Sequence, residues 1–223
     1  MRKRGLLAIG VIAAVLLIDQ IVKIYIKTHF HWGEEKSILG LSWAKVHFVE
    51  NEGMAFGMTF GGDYGKLLLT LFRIVAVGFI GYYLYKLVKQ KAGFGLILCI
   101  ALVFAGASGN IIDSIFYGVI FSGSDYGTVA QLFPGGGGYS TLLHGYVVDM
   151  FYFPIAHGRY AEWIPIVGGK YYLFFRPVFN IADSAITIGV ISILLFQRSI
   201  FKSHKEETEE LKEESQSQSQ SAS

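Results

Sequence analysis

The stretch FNIADSAITIGVISILLF, residues 179–196, places one carboxylate, Asp183, at the head of a strongly apolar run. From Ser184 to Phe196 the run carries no further charge, which predicts a membrane helix. The stretch VVDM, residues 147–150, places Asp149 in similarly apolar company. A carboxylate at the edge of a bilayer is costly, so each is a candidate functional residue. If the fold brings the two together, they could share a proton and activate a water, as in aspartic proteases.

The composition of the 223-residue chain is that of a membrane protein. Hydrophobic residues make up 52% and charged residues 16%, whereas soluble domains are usually nearer a quarter charged. The net charge of +2 is too small to indicate binding to nucleic acid. The single cysteine, Cys99, excludes an intramolecular disulfide and a cysteine-rich metal site. His29 and His31 have no further ligand cluster near them in the sequence, so no metal and no cofactor is predicted.

Apolar runs predict four transmembrane helices, at about 5–26, 67–88, 94–113 and 178–198. The first follows Arg2, Lys3 and Arg4 like a secretory signal peptide, but it continues past Asp19 without a small-x-small cleavage site. We therefore interpret it as an uncleaved span. Residues 1–200 are predicted to form one membrane domain, and the Glu-, Lys-, Ser- and Gln-rich residues 201–223 a disordered tail.

The segments between the spans predict strand and loop structure. Residues 41–49 have the β-branched and aromatic content of a strand, and the glycines in residues 50–57 suit a turn. The glycine run Gly135–Gly138 is typical of a loop. We hypothesise that residues 123–146 form a mobile loop that helps to cover the substrate entry. The aromatic-rich residues 154–176 are predicted to lie at the membrane interface.

Clusters of cations predict the orientation of the spans. By the positive-inside rule the clusters mark cytoplasmic ends, so both termini are predicted to be cytoplasmic. The clusters are Arg2, Lys3 and Arg4; Lys86, Lys89 and Lys91; and Arg198, Lys202 and Lys205. Polar residues of the spans and strands then all fall at the extracytoplasmic face, namely Asp19, Asn51, Asp113, Asp149, Asn180 and Asp183.

Two spacings suggest how these polar residues interact. Asp19 and Lys23 are four apart on the first span and could face each other; for Lys23 an interfacial ion pair is the preferred interpretation. Asn110 with Asp113, and Asn180 with Asp183, repeat an N-x-x-D spacing at the outer ends of two spans. One such pair could be a helix cap, but two favour convergence on a shared polar site.

Five motifs in order resemble those of the bacterial lipoprotein signal peptidases (signal peptidase II) over roughly residues 5–200. They are Asp19 with Gln20 and Lys23; Asn51-Glu52-Gly53-Met54-Ala55-Phe56; Gly109-Asn110-Ile111-Ile112-Asp113; Val147-Val148-Asp149; and Phe179-Asn180-Ile181-Ala182-Asp183. The resemblance implies four transmembrane helices, a small extracytoplasmic β-cradle and a short interfacial helix in the bacterial inner membrane.

The resemblance also implies the chemistry. Asp149 and Asp183 would be the catalytic dyad of an aspartic endopeptidase, and the other polar motif residues would support them, namely Asp19, Asn51, Asn110, Asp113 and Asn180. The implied substrate is a prolipoprotein whose cysteine carries diacylglycerol, cut just before that cysteine. Membrane lipid and globomycin-like cyclic peptide inhibitors are the other implied partners.

The chain departs from the family pattern in two respects. The family usually has an arginine where this chain has Ser114, and Arg159 and Arg176 are the candidate substitutes. The connections 115–146 and 154–176 are also longer than usual.

Two alternatives from other classes remain. A small transporter would use Asp19, Asp113 and Asp183 to line a pathway, but no acid lies deep in the cytoplasmic halves of the spans. A non-catalytic assembly factor would use its polar residues only to fix helix packing.

Overall fold

The computed structural model describes residues 2–53, 62–174 and 177–195, and its contacts divide the chain into two compact units. The first unit comprises Met1–Gln20, Leu69–Ile111 and Ile181–Ser223. The second comprises Ile21–Leu68 and Ile112–Asn180.

The first three of the four predicted membrane helices are present at full length. They are α1 (Arg2–His29), α2 (Gly62–Lys89) and α3 (Phe94–Ile112), and α3 continues through a π-helical turn (Asp113–Tyr117) into the short α4 (Gly118–Ile120). Arg2–His29, Gly62–Lys89 and Phe94–Ile120 are each long and apolar enough to cross a membrane. At 28 residues, α1 and α2 are each about 42 Å long, which exceeds the hydrocarbon core of a bilayer.

The helix of the fourth predicted span begins later than the sequence predicts. This shorter apolar helix, α5 (Ile181–Leu195), starts at Ile181, because Val178 and Phe179 are paired in a strand instead. Residues 196–198 of the predicted span, and the predicted tail at 201–223, lie outside the described residues.

The first unit is packed through small residues. Its core contains Ala8, Leu87, Ala92, Ile97 and Ala101 among others. A Cβ on Gly106 would lie 2.2 Å from the carbonyl oxygen of Ala182, and one on Gly189 would lie 2.7 Å from that of Cys99. Only glycine fits these contacts, as expected where membrane helices pack closely.

The second unit is built on an antiparallel sheet. Its strands are β1 (Glu35–Ser37), β2 (Lys45–Asn51), β3 (Val147–Tyr152) and β6 (Val178–Phe179), in the order β1-β2-β3-β6. The predicted strand at 41–49 is therefore displaced to 45–51. The register of β2 against β3 shifts between Val46 and Val49, which is a bulge. Phe48, Val148 and Met150 lie under the sheet in a core with Tyr117 and Phe121.

The two long connections have defined structure. Within residues 154–174, β4 (Ala156–Arg159) and β5 (Tyr171–Phe174) form an antiparallel hairpin, so the predicted interfacial region is a hairpin with turns. Residues 121–146 follow α4 and fold back against the π-helical turn. The amide of Tyr139 donates to the carbonyl of Phe121, and that of Gly145 donates to the carbonyl of Ser114. Among the glycines of the predicted mobile loop, Gly135–Gly137 face open space.

Candidate active site

Asp149 lies on β3 in the second unit and is held by two asparagine amides. Asp149 is only 4% exposed as a residue. Asn180 Nδ2 donates to Asp149 Oδ1 at 2.7 Å, and Asn51 Nδ2 donates more weakly to Oδ2 at 3.4 Å. Asn180 is fully buried and also donates to the carbonyl of Val148 at 3.3 Å. We refer to Asp149, Asn51 and Asn180 as the Asp149 site.

The sheet explains the convergence on Asp149. Antiparallel pairing of β2 with β3 puts Asn51 opposite Val147, close to Asp149 along the strand. Asn180 follows directly after β6, which pairs with the other edge of β3. Three separate segments of the chain therefore deliver the three side chains, and the amides orient the carboxylate without adding charge.

Asp183 is the third residue of α5 in the first unit and is half-buried. Asn110, near the end of α3, donates from Nδ2 to Asp183 Oδ1 at 2.8 Å. The carboxylate lies in the first helical turn, where backbone amides have no partner within the helix. We refer to Asp183 and Asn110 as the Asp183 site.

Asp19 supports the start of α5. Its side chain is fully buried, and Oδ1 accepts a hydrogen bond from the amide of Ala182 at 2.9 Å. That amide belongs to the first turn of α5, so Asp19 satisfies a donor that the helix leaves free. Gly109 leaves room for this contact, because a Cβ there would lie 2.8 Å from Asp19 Oδ2.

Asp113 supports β3. It is fully buried, forms an ion pair with Lys23 at 2.8 Å and accepts a hydrogen bond from the amide of Val148 at 3.3 Å. It is the first residue of the π-helical turn, a feature frequent at functional sites. Asn110 and Asp113, predicted to share a face, thus have different partners: Asp183 in the first unit, and Lys23 with β3 in the second.

Sequence reasoning missed two lysines. Lys23, interpreted as interfacial, is fully buried, and Lys27 is buried as well. Repetition of a polar residue every four positions at Asp19, Lys23 and Lys27 is the signal that marks this face of α1. Of the candidates for the family arginine, Arg159 lies over the ring of Tyr171 at 4.8 Å, and Arg176 is outside the described residues.

The described part of the chain contains no cluster of three or more His, Cys, Asp or Glu residues that could hold a metal ion. What the site offers for chemistry is carboxylates with amide donors beside them.

Solved structures identify the class of fold, which is that of a multi-pass bacterial membrane enzyme. One such enzyme, solved by the in meso method, matches with a TM-score of 0.56 at 24% identity, covering 86% of this chain and 87% of that one. A second matches with a TM-score of 0.53 at 26% identity, covering 84% and 90%.

Sequence relatives identify the family. A "Lipoprotein signal peptidase" of Porphyromonas gingivalis is 51% identical over 193 residues, which cover 86% of this chain and 83% of that protein. One of Amoebophilus asiaticus is 37% identical, covering 85% and 77%. The family model described as "Signal peptidase (SPase) II" matches residues 11–199. The chain belongs to the signal peptidase II family: it is a multi-pass bacterial membrane protease, and its activity is the removal of signal peptides from prolipoproteins.

Proposed function

We propose that the chain is an aspartic endopeptidase in which Asp149 and Asp183 act as one catalytic dyad. The observation that carries the proposal is that each aspartate accepts a short hydrogen bond from an asparagine amide, at 2.7 Å from Asn180 and 2.8 Å from Asn110. In addition, Asn180 precedes Asp183 by three residues in the chain, so one short segment serves both aspartates.

The dyad has a defined division of labour. One carboxylate is ionised and takes a proton from the attacking water, while the other is protonated and donates a hydrogen bond to the scissile carbonyl. When the tetrahedral intermediate collapses, the proton passes to the leaving amine. Asparagine amides suit this chemistry because they orient carboxylates without a fixed charge that would force both into one protonation state.

The proposed substrate is a prolipoprotein whose cysteine already carries diacylglycerol, and cleavage falls just before that cysteine. A lipid-anchored substrate reaches the enzyme sideways through the outer leaflet, so we place the dyad at the extracytoplasmic face of the inner membrane. Globomycin-like cyclic peptides are the proposed inhibitors of the same site.

The proposed orientation has both termini in the cytoplasm, and cysteine accessibility tests it. In a Cys99→Ser background, Gly136→Cys should react with a membrane-impermeant maleimide from outside intact cells. Gln218→Cys should react only after the inner face is exposed. Cytoplasmic labelling at position 136 would contradict both the topology and the side assigned to the site.

Single substitutions in each aspartate test the catalytic mechanism. Asn is nearly isosteric with Asp but cannot take a proton from water, so Asp149→Asn and Asp183→Asn should each lower kcat by at least about 10³-fold. The assay is cleavage of a diacylglyceryl-modified prolipoprotein by purified, folded enzyme.

Asp125→Asn is the matched control. Asp125 is an exposed aspartate of the same unit as Asp149, and its carboxylate accepts a hydrogen bond from the amide of Gly127 in a turn. Its variant should keep parent activity. Substantial turnover by either dyad variant would exclude the aspartic mechanism.

A further inference from the structure

A buried lysine outside the family motifs lies beside the Asp149 site. Lys27, in the last turn of α1, is fully buried, and its ammonium donates to the carboxylate of Glu50 and to Ser124 Oγ at 3.1 Å. The same ammonium lies 5.4 Å from the ring centroid of Phe121 and 4.9 Å from that of Tyr139. We refer to Lys27, Glu50, Ser124 and Tyr139 as the Lys27 cluster.

Stability alone is a poor explanation for this cluster. Removing two charges from water is costly, and apolar residues of similar volume are often equally or more stabilising in the same place. A buried ion pair instead contributes geometric specificity, because it holds two particular side chains in one arrangement.

On one side the cluster fixes the end of β2. The register of β2 against β3 shifts at the bulge between Val46 and Val49, so the pairing before the bulge does not determine the pairing after it. Glu50 follows this bulge directly, opposite Val148, and precedes Asn51. Holding Glu50 by its side chain therefore reinforces the short stretch of pairing after the bulge, from which Asn51 reaches Asp149.

On the other side the cluster fixes the start of β3. The hydroxyl of Tyr139 accepts a hydrogen bond from the amide of Tyr146 at 2.6 Å, and the two rings stack at 5.3 Å. Tyr146 is the residue immediately before β3, the strand that carries Asp149. Lys27 thus contacts, through Glu50 and Tyr139, the two strand ends that bring Asn51 and Asp149 together.

We propose that Lys27 is a positioning residue for the peptidase reaction, and that it uses the 121–146 segment to fix the geometry of the Asp149 site. The inference rests on the proposed catalytic role of Asp149.

A comparison of single and double variants separates positioning from stability. Lys27→Met leaves the carboxylate of Glu50 buried without its ion-pair partner, so both the melting temperature and kcat should fall. The double variant Lys27→Met/Glu50→Met removes both charges at similar volume, so its melting temperature should return to within a few degrees of the parent. Its kcat should stay about 10- to 100-fold below the parent with KM little changed, because small misplacements of catalytic groups have effects of this size.

The control is an ion pair on the same strand. Lys45 on β2 pairs with Glu35 on β1, with side chains 27% and 36% exposed. Lys45→Met/Glu35→Met should leave kcat and KM at parent values. Parent kcat in the refolded Lys27→Met/Glu50→Met variant would overturn the proposal and leave the cluster a purely structural feature.

A milder substitution keeps the test decisive if the double variant does not fold. Tyr139→Phe removes only the hydroxyl that accepts from the amide of Tyr146, and it should lower kcat several-fold while lowering the melting temperature by only a few degrees. Parent kcat in Tyr139→Phe would then overturn the proposal. The activity of Asp149→Asn tests the dyad separately. If Asp149→Asn is inactive while the Lys27 cluster variants keep parent kcat, only the positioning role of Lys27 is refuted. If Asp149→Asn itself is active, the catalytic dyad is refuted.

Discussion

The Asp149 site and the Asp183 site hold the same chemical group in different ways. Asp149 lies on a strand and is almost completely buried, with amide donors from two other segments. Asp183 is half-buried in the first turn of a helix, where Asn110 donates to its carboxylate and the free amides of the helix start lie nearby. A strand holds a side chain only through its neighbours, whereas a helix start supplies part of the environment itself. The Asp149 site should therefore be the more sensitive to changes in its surroundings.

The largest expected effect is the loss of cleavage activity when either aspartate is replaced, and this loss should not increase much when both are replaced. If the aspartates act as one unit, the double variant Asp149→Asn/Asp183→Asn should be scarcely less active than either single variant, because members of a catalytic unit are not additive. Single-turnover cleavage of the lipidated substrate measures this. Losses that multiply in the double variant would show that the two sites act independently.

The asparagines should separate the two sites. Asn180→Leu removes donors to Asp149 and to the carbonyl of Val148 from a fully buried position, so we expect kcat to fall about 100-fold. Asn110→Leu removes the bond to a half-buried carboxylate, and about 10-fold is expected. Steady-state kinetics on folded protein provide the measurement. Equal losses of kcat in the two variants would show that the Asp149 site is no more sensitive than the Asp183 site.

The contacts of the two supporting aspartates should also differ in how much they stabilise the protein, with the contact of Asp113 in the second unit contributing more than that of Asp19 in the first. Lys23→Met leaves the fully buried Asp113 without this ion-pair partner, which should cost about 3–5 kcal/mol. Asp19→Asn keeps an oxygen that can accept from the amide of Ala182, and about 1 kcal/mol is expected. Thermal unfolding in detergent compares the two variants. A larger loss for Asp19→Asn would reverse the order of sensitivity.

The smallest effect is expected in the glycine run of the second unit. Gly135 and Gly136 face open space, so deleting both should change turnover by about twofold without loss of folding if the run helps to cover the substrate. Gly138 must stay, because a Cβ there would lie 2.1 Å from the carbonyl oxygen of Gly118. Unchanged turnover and unchanged inhibition would show that the run is inert.

Continuous apolarity predicts the helices because burial in lipid needs no particular partner. The predicted bounds of α3 agree with the structure to within one residue. The predicted start of the fourth span is wrong, because apolar residues such as Val178 and Phe179 are as compatible with a buried strand as with a membrane helix. Asp149 and Asp183 are predictable as candidates from the sequence, because each is an isolated charge in an apolar stretch. Which amide serves which carboxylate, and that Lys23 pairs with Asp113, depend on contacts between distant segments, which no local pattern encodes.

Ser114 ties the π-helical turn to the returning 121–146 segment. It is 1% exposed, and its carbonyl accepts the hydrogen bond from Gly145 that anchors the returning 121–146 segment. A guanidinium side chain at this position would need volume that the surrounding chain now fills. An arginine introduced at position 114 alone should therefore disturb this contact and lower the stability of the protein. An exchange at position 114 is best combined with changes in the 121–146 segment.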